Sequence, residues 1–392
     1  MLRGTGLATD EYSLAIVNLL EQALELDPDF AEAWALMANV DGDMYWFTFD
    51  RTPERLAHMK HAVDRAIALN PDSPDALSAL AEYYYRGSYN YPKALEYLER
   101  AYEIMPNNSE VLYNMALTLR RLGRWSEAVD RFEDAAALDP ADVRTYQEVL
   151  NTAMDSRDPR AEKWNEELGR RFPTNSSIAG IRAVYYLSVE GDVTAAAETL
   201  AMAQPSSDWY YQRASYEIPL WQRDYELAVE RVLRGREVFD LPAPGTADVW
   251  AGWALTLAGE DERAGEYLAA GIAMLEAELE KPYSESYVWP HMIIAIGYGL
   301  QGRHEVAIAA CDRAQQILPE RIDKVHGVNV AVWCAVVKAW AGDTEFLVSE
   351  MERLWATGSE NLTPETVRHD PRWDFIREHP RVQALLAQYP KP

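Results

Sequence analysis

The feature that most constrains this chain is a proline that recurs at nearly even spacing behind alanine-rich apolar segments. The prolines in this position are Pro28, Pro71, Pro106, Pro140, Pro173, Pro205, Pro242 and Pro319. From Pro71 to Pro205 the intervals are 35, 34, 33 and 32 residues. Because proline cannot continue a helix, this spacing marks the ends of stacked units of similar length. The 392 residues are therefore predicted to form one repeat array, not two or three separate globules.

The segment 109–140 shows the repeating unit most plainly. Apolar residues at helical spacing form a first stripe of Leu112, Met115, Ala116 and Leu119. Gly123 then ends this helix, since a helix C-terminus favours a residue that tolerates a left-handed backbone. A second stripe consists of Ala128, Phe132 and Ala135, and Pro140 follows it. The unit is predicted to be a helix hairpin that buries its apolar faces by stacking on its neighbours.

This unit resembles a tetratricopeptide repeat, in which large and small residues alternate at set positions over 34 residues. The same pattern recurs at Leu77, Leu80, Ala81, Tyr84, Ala94, Leu98, Ala101 and Pro106, and later at His291, Ile294, Ala295, Tyr298, Gly302, Ala307, Cys311, Ala314 and Pro319. The resemblance implies an all-α fold, a superhelical solenoid of antiparallel helix hairpins. We expect about nine hairpins within 1–360. The first is incomplete, because 11–26 reads as a second-type helix that either caps the array or continues a longer protein.

The resemblance narrows to one bacterial subgroup through two stretches, 91–95 (YPKAL) and 370–374 (DPRWD). That subgroup comprises the C-terminal repeat regions of TolB-like, nucleotide-cyclase and winged-helix regulatory proteins. The closing stretch 361–392 is predicted to form a C-terminal helical cap whose apolar residues cover the exposed face of the last hairpin. These apolar residues are Trp373, Phe375, Ile376, Val382, Leu385 and Leu386.

The stretch Asp41–Arg51 (DGDMYWFTFDR) is predicted to be an expanded turn between helices. Five large apolar residues in one loop cannot all remain in water. Two interpretations follow. Either these side chains pack onto the neighbouring hairpin, or they form a contact patch for another chain.

Charge and composition exclude several classes of protein. The chain carries 37 basic and 63 acidic side chains, a formal charge of −26, which argues against binding nucleic acid or an anionic membrane. The apolar share of 48% excludes a disordered acidic chain. Met1–Asp10 has no signal-peptide core, and no apolar run reaches the about eighteen residues of a membrane span. We therefore expect a soluble, cytoplasmic protein.

No catalytic or metal-binding motif stands out. His58 and His61 lie one helical turn apart and read as a surface pair, since no further ligand completes a metal site. His291 falls on a core position and reads as a hydrogen-bonded interior histidine. Cys311 and Cys334 also fall on core positions and are expected to be buried free thiols. The sequence thus predicts a protein that is not an enzyme and holds neither a metal nor a cofactor.

The remaining candidate is a groove. In tetratricopeptide proteins the first helix of each hairpin lines the concave side, where peptides or partner helices lie. The residues predicted to line this groove are Tyr85, Arg86, Tyr113, Asn114, Leu117, Arg120, Arg121, Trp289 and Met292. Aromatic and arginine side chains suit peptide recognition, because rigid rings bind with little entropy loss and guanidinium groups take carboxylates. Arg120 and Arg121 have an alternative role, stabilising the helix C-terminus.

The outward positions of the late hairpins are less polar than those of the early hairpins. These positions are Ala251, Leu255, Ile296, Leu300, Val332 and Val336. The late hairpins are expected to close over an apolar ligand, to pack against another subunit, or to bury the chain's own C-terminal segment.

The leading hypothesis for the function is that the chain is a scaffold for a protein or peptide partner. The first alternative is a small-molecule sensor or enzyme with a pocket near Trp250, Trp253, Trp289 and Tyr298. The second alternative is a homo-oligomerisation module that self-associates through its end helices.

Overall fold

The chain is all-helical in a computed structural model that describes residues 10–355, 357–359 and 361–389. It divides into two compact units, Met1–Val149 and Leu150–Pro392. The signal-peptide expectation for Met1–Asp10 falls largely on residues 1–9, outside the described part. Among the described helices, none is both long and apolar enough to cross a membrane.

Unit 1 consists of a single helix followed by helix hairpins. Its helices are α1 (Asp10–Leu26), α2 (Ala31–Trp46), α3 (Pro53–Leu69), α4 (Pro74–Ser88), α5 (Tyr91–Ile104), α6 (Ser109–Arg121), α7 (Trp125–Leu138) and α8 (Val143–Asp155), the last of which crosses the unit boundary. The hairpins are α2–α3, α4–α5 and α6–α7. Helix α1 packs on α2, as the prediction of a lone second-type helix requires.

Unit 2 repeats this arrangement and adds a C-terminal segment. Its helices are α9 (Arg160–Arg171), α10 (Ser176–Tyr185), α11 (Val193–Ala201), α12 (Trp209–Trp221), α13 (Tyr225–Arg234), α14 (Arg236–Phe239), α15 (Thr246–Ala258), α16 (Asp261–Leu279), α17 (Val288–Leu300), α18 (His304–Ile317), α19 (His326–Trp340), α20 (Thr344–Leu354), α21 (Pro364–His369), α22 (Asp374–Arg377) and α23 (Pro380–Leu386). Hairpins form between α10 and α11, α12 and α13, α15 and α16, α17 and α18, and α19 and α20. The predicted all-α array of antiparallel hairpins is confirmed.

Helix ends follow the predicted punctuation. Helices α3, α5 and α7 each stop two residues before a proline. Gly123 has φ 77°, the left-handed backbone expected at the end of α6. Asparagine side chains begin the next helices, because Asn90 and Asn108 accept hydrogen bonds from the first-turn amides of α5 and α6.

The prediction of a turn over Asp41–Arg51 is wrong for its first half. Helix α2 continues to Trp46, so the turn between α2 and α3 begins only at Phe47. The helix continues because Asp41 is fully buried, where its carboxylate accepts hydrogen bonds from α3. Met44 and Tyr45 are buried, as expected for packing onto the neighbouring hairpin, whereas Phe47 is 42% exposed.

Of the three outcomes expected for the late hairpins, the structure shows burial of the C-terminal segment. Residues 361–389 (the C-terminal segment below) contain α21, α22 and α23. Their buried apolar side chains are Leu362, Val367, Trp373, Ile376, Val382, Leu385 and Leu386. Arg381 pairs with Glu345 and Glu352 of α20, the last hairpin helix, at 2.8 and 2.6 Å. The division of the chain at residue 360 into array and cap stays a prediction.

Candidate binding faces of the two units

In unit 1, the first helices of consecutive hairpins contact one another through the predicted groove residues. The Arg121 Nε of α6 donates to the Tyr85 hydroxyl of α4 over 2.8 Å. The same guanidinium lies 5.9 Å from the ring centre of Trp46 in α2, and that ring lies 5.5 Å from Tyr85. One arginine thus joins three first helices.

Arg86 forms a second link between α4 and α2. Its guanidinium donates to Glu82 over 2.5 Å and also pairs with Asp43. Burial raises the pKa of the Glu82 carboxyl above its ordinary value, although Arg86 acts in the opposite direction. The charge of Arg86 is therefore balanced within the chain.

A third set joins α6 to α8. Arg120 of α6 pairs with Glu148, and Arg144 lies 4.7 Å from the ring centre of Tyr113. Arg144 also pairs with Glu110 over 3.2 Å. Burial raises the pKa of the Tyr113 hydroxyl, and Glu148 adds to this effect. Tyr113 therefore stays a neutral hydrogen-bonding group.

The outward helix positions of Arg120 and Arg121 predict that both side chains face solvent. In the structure they do not. They are 6% and 4% exposed. Asn114 is buried as well, whereas Tyr113 and Leu117 are half-buried. We call the half-buried surface of Tyr113 and Leu117 the α6 face. Its role in binding stays a prediction.

The last two predicted groove residues, Trp289 and Met292, belong to unit 2. Both lie on α17, where Met292 is buried and Trp289 is half-buried. The Trp289 ring meets the imidazole of His326 edge-on at 4.9 Å. The structure therefore places the nine predicted residues on faces of two different units.

The histidines and cysteines mostly have structural partners. His58 Nδ1 lies 2.7 Å from Asp41 Oδ2, a buried partner that the sequence analysis did not identify. His61 packs edge-on against Trp34 at 5.5 Å, and His291 Nε2 lies 3.2 Å from the Ser284 carbonyl oxygen. Cys311 and Cys334 are buried free thiols, as predicted.

In unit 2, a buried arginine of the C-terminal segment lies among first helices. Arg372 is 8% exposed, and its Nη2 donates to Glu217 of α12 over 3.1 Å. Its guanidinium lies 5.8 Å from the ring centre of Trp253 in α15 and 5.5 Å from that of Trp333 in α19. We call Glu217, Trp253 and Trp333 the arginine seat.

The electrostatics of the arginine seat favour a cation. Burial alone would raise the pKa of Glu217, but Arg213 and Arg372 outweigh burial and hold that pKa below its ordinary value. Glu217 is therefore an ionised carboxylate although it is only 7% exposed. The Arg213 Nε binds the other carboxylate oxygen of Glu217 over 3.1 Å. Asp370 completes the set by accepting hydrogen bonds from Arg372 over 2.6 to 3.0 Å.

Further contacts attach the C-terminal segment on both sides of Arg372. The Thr363 hydroxyl donates to the Ser188 carbonyl oxygen over 2.5 Å, and Arg157 Nη2 donates to that of Leu362 over 3.0 Å. Trp373 stacks on Trp333 with 6.0 Å between ring centres. An exposed, two-bond ion pair joins Arg223 to Asp374 at 2.6 and 3.0 Å.

Among the rings predicted to line a small-molecule pocket, Trp253 contacts the C-terminal segment through Arg372. Trp253 is 2% exposed and lies against Trp250, Trp333 and Trp340, with ring centres 5.4 to 5.5 Å away. Tyr298 donates to Glu276 over 2.8 Å, and that carboxylate contributes to raising its pKa to about 12, after burial as the larger cause. Trp253 is therefore enclosed by other rings and by Arg372, whereas the Tyr298 hydroxyl is bound to Glu276.

The sequence pattern indicates neither a role for Glu217 nor the long-range contact of Arg372. The segment 361–392 is predicted to cap the last hairpin, yet Arg372 contacts a residue 155 positions away in the chain. One signal was present: in the stretch 370–374 an aspartate and an arginine lie beside a tryptophan, an apolar residue expected to be buried. Charged residues in such a position need partners, but the sequence alone does not identify them.

Two stretches of the chain match family models described as tetratricopeptide repeat, residues 60–109 and residues 85–151. Together they include the hairpins α4–α5 and α6–α7. This part of the chain therefore carries tetratricopeptide repeats. The sequence has no match among the curated proteins.

Several solved structures of helical proteins are similar to this chain. Yeast Tom70 is 17% identical, with a TM-score of 0.40, and the match covers 88% of this chain and 62% of Tom70. Pseudomonas aeruginosa pilF is 18% identical, with a TM-score of 0.38, over 52% of this chain and 93% of that one. A tetratricopeptide repeat protein from Parabacteroides merdae is 16% identical, with a TM-score of 0.43, over 58% and 87%. This chain thus spans less than two thirds of the Tom70 structure.

Proposed function

We propose that this chain is a non-catalytic scaffold that binds a protein or peptide partner on the α6 face of unit 1. The observation that carries the proposal is the position of Tyr113 and Leu117, half-buried within residues 85–151, which match the tetratricopeptide repeat. Tetratricopeptide repeats generally mediate protein interactions.

The contacts made by the first-helix arginines of unit 1 support this proposal. Arg86, Arg120 and Arg121 each have a partner on a neighbouring helix, so their side chains are ordered before any ligand arrives. A partner would therefore lose little side-chain entropy at this surface. The half-buried Tyr113 and Leu117 offer a partner an apolar contact, whereas the buried Arg120 and Arg121 hold neighbouring helices together.

A site-specific cross-linking experiment tests the α6 face. A photoreactive amino acid replaces Leu117 in the full chain, and a matched control places it at Arg131 of the second helix α7, which is half-buried like Leu117 and pairs with Asp134. The partner captured from position 117 is identified by mass spectrometry and then purified. Direct titration should show that Leu117→Glu weakens its binding by about tenfold or more, whereas Arg131→Ala does not. Equal capture from both positions would contradict the proposal.

A finer proposal concerns the biological setting. We propose that the chain serves in the cytoplasm beside, or as part of, a TolB-like, nucleotide-cyclase or winged-helix regulatory protein. The stretches 91–95 and 370–374, which resemble that subgroup, support this assignment. A gene neighbourhood or gene fusion that contains such a module would agree with it, and co-purification of the two products would test it directly.

Self-association is a second candidate function, favoured by helix α1. Tyr12, Leu19 and Leu26 lie seven residues apart on its outer side and are 38%, 66% and 89% exposed. Residues at this spacing form a stripe that suits helix pairing. The mass of the full chain in light scattering should fall to that of a monomer in Leu19→Lys with Leu26→Lys. A mass that is already monomeric in the unmodified chain would exclude this function.

A further inference from the structure

We propose that the arginine seat of unit 2 is a second peptide-recognition site, which takes an arginine followed by an aromatic residue. In this structure the chain's own C-terminal segment occupies the site. A partner segment that carries an arginine followed by an aromatic residue displaces it. The site lies in unit 2 and uses no residue of the α6 face, so it goes beyond the function proposed above.

The arginine seat is built by helices that do not belong to its occupant. Glu217, Trp253 and Trp333 lie on α12, α15 and α19, the first helices of three hairpins. Their own neighbours hold them in place, since Arg213 binds Glu217 and Trp340 lies against Trp253. A buried carboxylate and two indole rings provide both of the interactions by which proteins hold a guanidinium.

The C-terminal segment is organised largely by contacts within itself. Thr363 and Thr366 form a reciprocal capping box at the start of α21. Arg377 donates to the carbonyl oxygens of Val367 and Asp370 over 2.7 and 2.8 Å, and Arg368 donates to that of Leu386 over 2.9 Å. The segment therefore resembles a small folded ligand that arrives with its arginine already oriented by Asp370.

Some contacts between the segment and the hairpins use only the backbone of the hairpins, and others are exposed to solvent. Thr363 binds a backbone carbonyl oxygen of unit 2, and the Arg223–Asp374 pair is exposed. The contact at the arginine seat itself is made by Arg372, which enters the seat, and by Trp373, which stacks on its Trp333. A partner that supplies these two side chains would reproduce the contact at the seat.

The partner's chemistry follows from the charges at the arginine seat. Glu217 is ionised and buried, and the chain as a whole carries a formal charge of −26. A cationic segment is attracted by this field, whereas an acidic one is repelled. The resident segment competes at an effective concentration that is about millimolar for a tethered ligand. A free peptide is therefore excluded until the tethered contact is weakened.

The test is a titration with a fluorescent synthetic peptide of residues 361–389. The full chain with Arg372→Ala and Trp373→Ala should bind this peptide at least about tenfold more tightly than the unmodified chain. A peptide that carries Arg372→Ala should lose about tenfold or more in affinity for the same variant. Phe375→Ala, which alters a 47% exposed residue of the segment, is the matched control and should bind like the unmodified chain.

Two results would overturn the proposal: a folded double variant that binds no peptide, or equal binding by the double variant and the unmodified chain. If the double variant does not fold, amide hydrogen exchange of the unmodified chain tests the proposal instead. Amides of α21 should then exchange about 100-fold faster than those of α15 and α17, because the segment opens without the array. Equal exchange rates would show that the segment never leaves the arginine seat, and would overturn the proposal. The cross-linking test of the α6 face is unaffected by either result.

Discussion

In unit 1 the charged residues of the first helices are balanced by the adjacent hairpins, whereas in unit 2 those around Trp253 are balanced by the end of the chain. Arg86 reaches from α4 to α2, and Arg121 reaches from α6 to α4 and α2. Glu217, in contrast, contacts Arg372, which lies 155 residues further along. The same hairpin architecture is thus completed locally in one unit and by a distant segment in the other.

This difference indicates which contacts of each unit can open while its hairpins stay folded. A local ion pair between neighbouring repeats belongs to the array and forms with it. A distant segment can separate from its site while the hairpins remain folded, because its contacts are not part of any hairpin. We therefore expect unit 1 to present a constant surface and unit 2 to have an occupied and an open state.

The largest expected effect is that of Trp373→Ala. Trp373 is 1% exposed and stacks on Trp333, so its removal leaves a cavity at the contact between segment and hairpins. We expect a loss of about 3–5 kcal/mol in the free energy of unfolding of unit 2. Urea unfolding followed by circular dichroism measures the loss, and hydrogen exchange of α4 and α6 should be unchanged.

Phe375→Ala is the matched control for this loss. Phe375 lies on the same segment and contacts Trp340, but it is 47% exposed. It should cost less than about 1 kcal/mol, since little buried surface is removed. If both substitutions cost the same, the segment does not depend on the buried Trp373 contact, and the contrast between the two units fails.

A smaller effect is expected for Arg86→Met in unit 1. The change leaves the buried Glu82 carboxylate without the guanidinium that binds it over 2.5 Å. We expect a loss of about 2–3 kcal/mol, because an uncompensated buried charge is strongly destabilising. Glu82→Gln combined with Arg86→Met should recover most of this loss in a double-mutant cycle measured by urea unfolding. If the losses of stability from the two single substitutions simply add in the double variant, the charges of Glu82 and Arg86 do not interact.

The two units should also respond oppositely to acid. The folded state lowers the pKa of Glu217, so its contribution to stability is complete above the unfolded value of about 4.3 and is lost as the pH falls through the folded value. The folded state raises the pKa of Glu82, so its contribution is present below the unfolded value and is lost as the pH rises through the folded one. Acidification should therefore loosen the C-terminal segment before it affects α4.

Hydrogen exchange measures this difference when protection factors are corrected for the intrinsic rate at each pH. Between pH 6 and about 3.5 the protection of α21 should fall by about tenfold, while that of α4 is maintained. Glu217→Gln removes the titrating group and should flatten the response of α21. An unchanged pH dependence in this variant would assign the effect to another carboxylate, such as Asp374, whose pKa is also held below its ordinary value because Arg223 and Arg377 outweigh its burial.

The fold could be predicted from the sequence to a large extent because its signals are local. The stop at Pro140, the left-handed Gly123 and the apolar stripe on α6 each depend on residues within one hairpin. The prediction failed at Asp41, which adjoins a glycine in a pattern typical of turns but is buried against Arg55 and His58. A helix that continues through a buried aspartate depends on a partner in the next helix, which local pattern does not show.

The candidate sites were less predictable, since they depend on pairs that are distant in the sequence. Helical periodicity predicts that Arg120 and Arg121 line the groove, but it does not show that neighbouring helices bury them. The arginine seat was beyond reach, because nothing near Glu217 in the sequence indicates a contact with Arg372. A repeat pattern predicts neighbours, whereas the segment that lies across several repeats follows no period.

The smallest expected effect is that of Arg223→Ala, which removes the exposed pair with Asp374. Two hydrogen bonds of 2.6 and 3.0 Å join these side chains, yet both are partly in solvent, at 47% and 37% exposure. We expect a loss of less than about 1 kcal/mol that shrinks further in high salt. Urea unfolding at low and high ionic strength measures it, with Arg234→Ala, whose partner Glu230 lies on the same helix, as the control. A loss as large as that of Trp373→Ala would mean that the segment is held from its exposed side, and that the arginine seat contributes little to its attachment.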